Sequence, residues 1–262
     1  MRTELISEPG DPARLNEDFA ALALPASGQG GALVVLDGVT PPPDDYGCLH
    51  SVSWFCTHLG GALTELSVSR RDLTLAEILS RAILRTAEVH RTTCYLSHPR
   101  TPQAIVVLAR WSQAAVEYLV LSDSALLCEA PDGTVTAVLD DRLARVPRAC
   151  LATDALADAT VRNKEGGFFT AAADPSVAAR AVTGELPRSA VRTLVALTDG
   201  ATRWKEKFRK GDWEDLFAVV RKEGAAALVE RVRALETADR EARAHLGRSK
   251  THDDATVVYV EP

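Results

Sequence analysis

The chain has 262 residues, with 30 basic and 36 acidic side chains and a net charge of -6. Hydrophobic residues make up 46% and charged residues 25%, the balance of an ordinary folded protein, which excludes a disordered or collagen-like chain. No stretch approaches the ~18 consecutive apolar residues of a membrane helix, and no basic stripe marks a nucleic-acid binder.

The first elements are strands. Short apolar runs bounded by turn residues predict them over Phe19–Pro25 and Ala32–Leu36. The run Pro41-Pro42-Pro43-Asp44-Asp45 reads as a stiff loop. Two helices follow. Ser51–Leu66 reads as a buried one, and Leu75, Ile78, Leu79, Ala82 and Ile83 give the apolar face of a second. A run of strands comes next: Ala104–Ala109, Ala115–Leu121, Leu126–Glu129 and Thr134–Val138, the last two joined by a Pro131-Asp132-Gly133 turn. Gly166-Gly167-Phe168-Phe169 reads as a glycine turn into a strand, and Asp174-Pro175 as the cap of a short helix. The last third holds strands at Thr193–Leu197 and Ala255–Val260. Between them, helical spacing starts after a cap at Asp212, breaks at Gly224 and resumes at Leu228. Arg203–Lys210, a basic run with aromatics, reads as a solvated helix start.

Strands and helices grouped in runs predict an α+β fold. The expected architecture is two stacked antiparallel β-sheets flanked by helices, an αββα sandwich, in one domain over residues 1–262. The five cysteines are odd in number and lack CxxC spacing, so neither a zinc ribbon nor a redox motif is expected. His50, His58 and His90 read as packing or surface residues of helices. The N-terminus has no apolar signal core, and the expected location is the cytoplasm.

The acids carry the chemistry. Asp37 and Asp199 each end a strand and precede a glycine, and Asp123 ends a third strand. Glu17-Asp18 and Asp253-Asp254 each precede a strand. In antiparallel sheets the end of one strand lies beside the start of its neighbour, so these carboxylates would gather at one edge. Two unit charges 4 Å apart repel by about 4 kcal/mol at an effective dielectric of 20. A cation or protonation relieves that repulsion, and hard oxygen donors without His or Cys select Mg²⁺, Mn²⁺ or Ca²⁺. One Asp-Gly after a strand is ordinarily only a turn, as at Asp132-Gly133; five acidic sites at strand ends point to a metal site.

Asn16-Glu17-Asp18-Phe19, Val34-Val35-Leu36-Asp37-Gly38, Leu121-Ser122-Asp123-Ser124, Leu197-Thr198-Asp199-Gly200 and Asp253-Asp254-Ala255-Thr256, in this order, resemble the motifs of the metal-dependent, type 2C serine/threonine protein phosphatases, bacterial type. The resemblance spans residues 14–258. It implies two Mn²⁺ or Mg²⁺ ions, with Asp37 bridging both, the Gly38 carbonyl on one, and Asp199 and Asp253 completing the other. Glu17 and Asp18 would hold coordinated waters or support the metal ligands from behind, Asp123 would help bind a third ion, and Arg14 would hold phosphate. The implied activity is hydrolysis of phosphoserine and phosphothreonine in proteins, or of another phosphomonoester, through a hydroxide bridging the two ions. No nucleic-acid or membrane partner is implied. The chain departs from the family in places. Arg14 stands three residues before Glu17 instead of four. Val39-Thr40-Pro41 follows Gly38 with no histidine to protonate a leaving group. Ala125 replaces an arginine, and Asp254 replaces an asparagine. The alternative expectation is a binding or sensor module on the same fold with little catalysis.

Overall fold

The computed structural model describes residues 1–41, 46–242 and 251–262; the loop predicted at 41–45 lies largely outside the described residues. Among the described residues ten strands form two antiparallel sheets. One sheet takes β1 (Thr3–Glu8), β6 (Ala125–Glu129), β7 (Val135–Leu139), β9 (Thr193–Leu197) and β10 (Ala255–Val260), in the order β1-β10-β9-β6-β7. The other takes β2 (Phe19–Ala23), β3 (Gly31–Gly38), β4 (Ala104–Trp111), β5 (Ala115–Leu121) and β8 (Val182–Pro187), in the order β2-β3-β4-β5-β8.

Alternation along the strands builds three apolar layers. Leu33 and Val35 of β3 point between the sheets, where they meet Val107, Leu126, Ala196 and Val258. Val34 and Leu36 point the other way, into α1 (Val52–Ser69) and α2 (Leu75–His90), through Phe55, Leu59, Ile78 and Leu79. On the far side α5 (Asp199–Glu206), α6 (Trp213–Glu223) and α7 (Ala225–Ala242) cover Val195, Leu197, Val257 and Tyr259 with Trp204, Phe217, Leu228 and Val232. Central strands are therefore buried on both faces, which is why β4, β6, β9 and β10 are mostly apolar. This is the αββα sandwich expected from the sequence.

Helix ends follow the predicted chemistry. Ser51 caps α1 by accepting from the Trp54 amide, Thr74 and Glu77 form a capping box on α2, and Asp212 caps α6. Asp174 caps a 3-10 turn, Pro175–Arg180, where a short helix was expected.

The sequence reading missed β1 and β8, both sheet edges with charged or turn-forming residues, and it began α5 four residues late, at Arg203 instead of Asp199. It also missed α3 (Arg142–Arg145) and α4 (Asp154–Thr160). His50 lies before the Ser51 cap, outside the helix, whereas His58 and His90 lie on α1 and α2.

Strand register places the acids. Phe19 pairs with Leu36, Leu121 with Val106, Leu197 with Val257, and Ala125 with Leu197. The start of β2 and of β10 and the ends of β3, β5 and β9 thus fall at one end of the sandwich.

Candidate metal centre

Asp37, Gly38, Asp123, Asp199 and Asp253 line one cavity of about 350 Å³ at that end, together with Thr40, Ser122, Arg162, Phe168 and Thr170. The structure brings together four of the carboxylates expected to gather, from both sheets.

Each acid is held by local chemistry. Asp37 is the penultimate residue of β3, and its Oδ2 accepts the backbone N–H of Asp199 at 3.3 Å. Gly38 must be glycine: a Cβ there would drive into the Glu17 carbonyl and the Val52 side chain. Ser122 adopts a left-handed φ of 70°, an uncommon state for a residue with a side chain. The buried Asp140 carboxylate holds that turn by accepting the Ser122 amide at 2.8 Å, and the Ser122 hydroxyl donates to Asp123 Oδ1 at 3.0 Å. Asp253 Oδ2 receives Arg203 Nη2 at 2.6 Å.

Asp18 ties the two sheets together. Its Oδ2 accepts from Thr198 Oγ1 at 3.0 Å and from Thr256 Oγ1 at 2.7 Å. Glu17 accepts a short hydrogen bond from the Thr40 hydroxyl. Asp254 turns to the main chain, accepting the Gly10 amide at 2.8 Å and the Glu17 amide at 2.6 Å.

The electrostatics are those of a strongly anionic hollow. Burial pushes the Asp37 carboxyl well above its ordinary value, and Asp199, Asp18, Asp123 and Asp253 add to the shift. Asp199 is pushed up to about 8, first by burial and then by Asp253 and Asp123, with Arg203 opposing. Burial raises Asp18 to about 7 against its two threonine hydrogen bonds. Burial also raises Asp123, against its hydrogen bonds and Arg162. Carboxyls in this state either keep protons or take up a cation. All donors are oxygens, several from carboxylates and one available from the Gly38 carbonyl, so the residues present suit a hard divalent ion. Among the described residues, no histidine lines the cavity.

Arg14 lies elsewhere. It is exposed and lines a neighbouring cavity of about 470 Å³ with Glu17, Asp254 and Arg240. The arginine in the acid cavity is Arg162, which sequence reasoning did not single out. Asp158 orients it: its Oδ1 accepts from Arg162 Nε at 2.7 Å while its Oδ2 faces Arg100 Nη1 at 3.2 Å. The guanidinium also lies 5.1 Å over the Phe168 ring. The Gly166-Gly167 segment therefore serves the cavity wall through Phe168 in addition to forming a turn.

The basic run after Asp199 is not a solvated helix start throughout. Arg203 is 8% exposed and bridges Asp253 to Glu236, whose Oε1 lies 2.5 Å from Nη1. His252 does not reach the cavity; its Nδ1 is 2.9 Å from Glu236 Oε2.

No family profile matches the sequence, and no curated relative does. Solved structures match it over nearly its whole length. A bacterial serine phosphatase shares 11% identity at a TM-score of 0.60, over 99% of this chain and 96% of that one. The serine/threonine phosphatase Stp1 from Staphylococcus aureus gives 11% and 0.60, over 99% and 94%. A structure of the catalytic domain of the serine/threonine protein phosphatase PstP with two manganese ions gives 16% and 0.56, over 98% and 96%. At these identities the likeness is one of fold: this chain has the two-sheet architecture of bacterial serine/threonine phosphatases.

Proposed function

We propose that the chain is a metal-dependent phosphomonoester hydrolase, acting on phosphoserine or phosphothreonine in proteins, with residues 1–262 as one domain. The observation that carries this reading is the convergence of Asp37, Asp123, Asp199 and Asp253 on one cavity that also holds Arg162. The manganese bound by the PstP structure of the same fold supports it.

Asp37, the Gly38 carbonyl, Asp199 and Asp253 would hold two Mn²⁺ or Mg²⁺ ions, and Asp123 a third. When bound, such ions neutralise phosphate charge and supply an activated water for in-line attack. The chain's own residues position the rest. Asp18, fixed by Thr198 and Thr256, and Glu17, fixed by Thr40, would hold waters bound to those ions. Arg162, steered by Asp158, presents a planar fork of donors that matches phosphate oxygens. Arg14 is the second candidate for that contact, from the adjoining hollow.

The test is hydrolysis of an aryl phosphate and of a phosphoserine peptide with and without Mn²⁺. Metal-dependent turnover in the wild type is expected, with Asp37→Asn and Asp253→Asn each abolishing it. Turnover that persists in both variants, or without metal, refutes the assignment. One observation favours the sensor reading: Arg203 already engages Asp253 at 2.6 Å. A sensor would gain thermal stability with Mn²⁺, since a ligand of the native state alone stabilises it, while turnover stayed at background.

A further inference from the structure

A second set of donors lies away from the acid cavity, where the chain enters α1 and leaves α2. Cys48 and His50 come just before the Ser51 cap; His90 is the last residue of α2, and Cys94 follows within a turn. One donor atom from each of these four residues lies within 4.8 Å of the others. Cys94 Sγ is 3.3 Å from His50 Nδ1 and 2.9 Å from Cys48 Sγ. Cys48 Sγ is 3.7 Å from His50 Nδ1 and 3.7 Å from His90 Nδ1. A tetrahedral Zn²⁺, with bonds of ~2.3 Å to sulfur and ~2.0–2.1 Å to nitrogen, sets its ligand atoms roughly 3.3–3.8 Å apart. The sulfur pair is closer than that, yet far beyond the ~2.05 Å of a disulfide. Two imidazoles beside the sulfurs serve a metal, whereas a disulfide needs neither.

The surroundings supply hydrogen-bond donors to both sulfurs and hold both rings in place. Backbone amides of Leu49 and His50 donate to Cys94 Sγ and Cys48 Sγ, each at 3.4 Å, and the Thr93 hydroxyl lies 3.6 Å from Cys94 Sγ. Trp54 stacks on His50 at 3.9 Å and on His90 at 5.2 Å, which fixes both rings. His90 is 1% exposed, so its ring is enclosed beside the two sulfurs. Soft sulfur with nitrogen selects zinc, while the all-oxygen acid cavity selects harder ions.

We propose that Cys48, His50, His90 and Cys94 bind one Zn²⁺ ion in a closed structural site. Binding releases the two thiol protons and leaves the Zn(Cys)₂(His)₂ unit neutral. With four protein ligands and no open position, the ion staples the start of α1 to the end of α2. It thereby anchors the far end of the segment that leaves Asp37 and Gly38. The backbone N–H of Tyr95 already donates to the Gly47 carbonyl at 2.6 Å along the same seam.

The experiment is metal analysis of reduced protein offered stoichiometric Zn²⁺ and then desalted. One zinc per chain is expected in the wild type and in an Asp37→Asn, Asp253→Asn double variant, with loss of that zinc in Cys94→Ser and in His90→Ala. Should those last two fail to fold, Co²⁺ replacement in the wild type decides, because tetrahedral S₂N₂ cobalt shows visible ligand-field bands together with thiolate charge transfer. A strong zinc chelator should lower the melting temperature and expose two further thiols to a thiol reagent. Zinc that disappears with the aspartates, cobalt without thiolate bands, failure of the wild type to retain zinc, or a Cys48–Cys94 disulfide in the protein that has never met reductant, each overturns the proposal.

Discussion

The backbone N–H of Asp199 donates to the Oδ2 of Asp37 at 3.3 Å, across 162 residues of sequence. Asp199 is the first residue of α5, and the first amides of a helix have no partner within it. One of them therefore serves a carboxylate of the opposite sheet. The positive end of the helix favours the anionic form of Asp37, while burial and the other acids oppose it.

Metal-free stability should fall with rising pH. The folded pKa of Asp199 is about 8 and that of Asp18 about 7, both above the ordinary 3.8. A carboxyl with a raised folded pKa binds its proton more tightly in the native state, so native stability is greatest below the unfolded pKa and is lost as pH climbs through the folded one. Melting temperatures of chelator-treated protein should decline between about pH 4 and pH 8, and Mn²⁺ at pH 8 should restore them. A flat or rising profile for the metal-free protein contradicts the burial of these carboxyls.

Arg203 should be essential to folding stability. Removing one partner of a buried ion pair costs about 3–5 kcal/mol. Arg203→Met leaves Glu236, only 1% exposed, with Arg233 and His252 alone, so a melting temperature lower by roughly 6–20 °C is expected. Adding Glu236→Leu should recover part of the loss. A change under 2 °C for Arg203→Met would show that the pair is hydrated in solution.

The two arginines can be told apart by kinetics. A hydrogen bond to a charged group is worth about 1.5–3 kcal/mol, so Arg162→Ala should raise KM for a phosphopeptide about 10- to 100-fold. Arg14→Ala should raise it less than threefold. The reverse ranking would place phosphate in the cavity that Arg14 lines.

Gly200 tests the close packing behind the cavity. A Cβ at this position meets the Asp254 carbonyl oxygen, which cannot yield as a side-chain tip can. Gly200→Ala should lower stability by about 1–3 kcal/mol in denaturant unfolding, and weaken Mn²⁺ binding read by calorimetry. Wild-type values for both would mean that β10 shifts freely at Asp254.

Much of this was legible in the sequence. Ala115–Leu121, Thr193–Leu197 and Ala255–Val260 are strands with the expected bounds; the last two are buried on both faces and so read as mostly apolar runs. β1 and β8 were hidden by the reverse effect: Thr3–Glu8 and Val182–Pro187 are edges, half-exposed and carrying Glu, Gly or Pro. The start of α5 escaped because Asp199-Gly200 has the composition of a turn, and the Thr198 hydroxyl serves Asp18 and the Thr256 amide instead of capping the helix. The gathering of acids followed from strand polarity alone. Arg203 and Arg162 did not, since their burial depends on Glu236 and Asp158, partners that tertiary packing supplies. Cys48, His50, His90 and Cys94 were opaque for the same reason: each half-motif is a mere pair until α1 and α2 lie side by side.

Asp37 belongs to one sheet, and Asp199 follows directly from the other. Any species gripped by both carboxylates at once gauges the docking of one layer onto the next. An intermediate with every strand laddered but the slabs still apart would give a native-like amide spectrum and yet lack that grip. Cation retention during unfolding would then mark the instant at which the layers part.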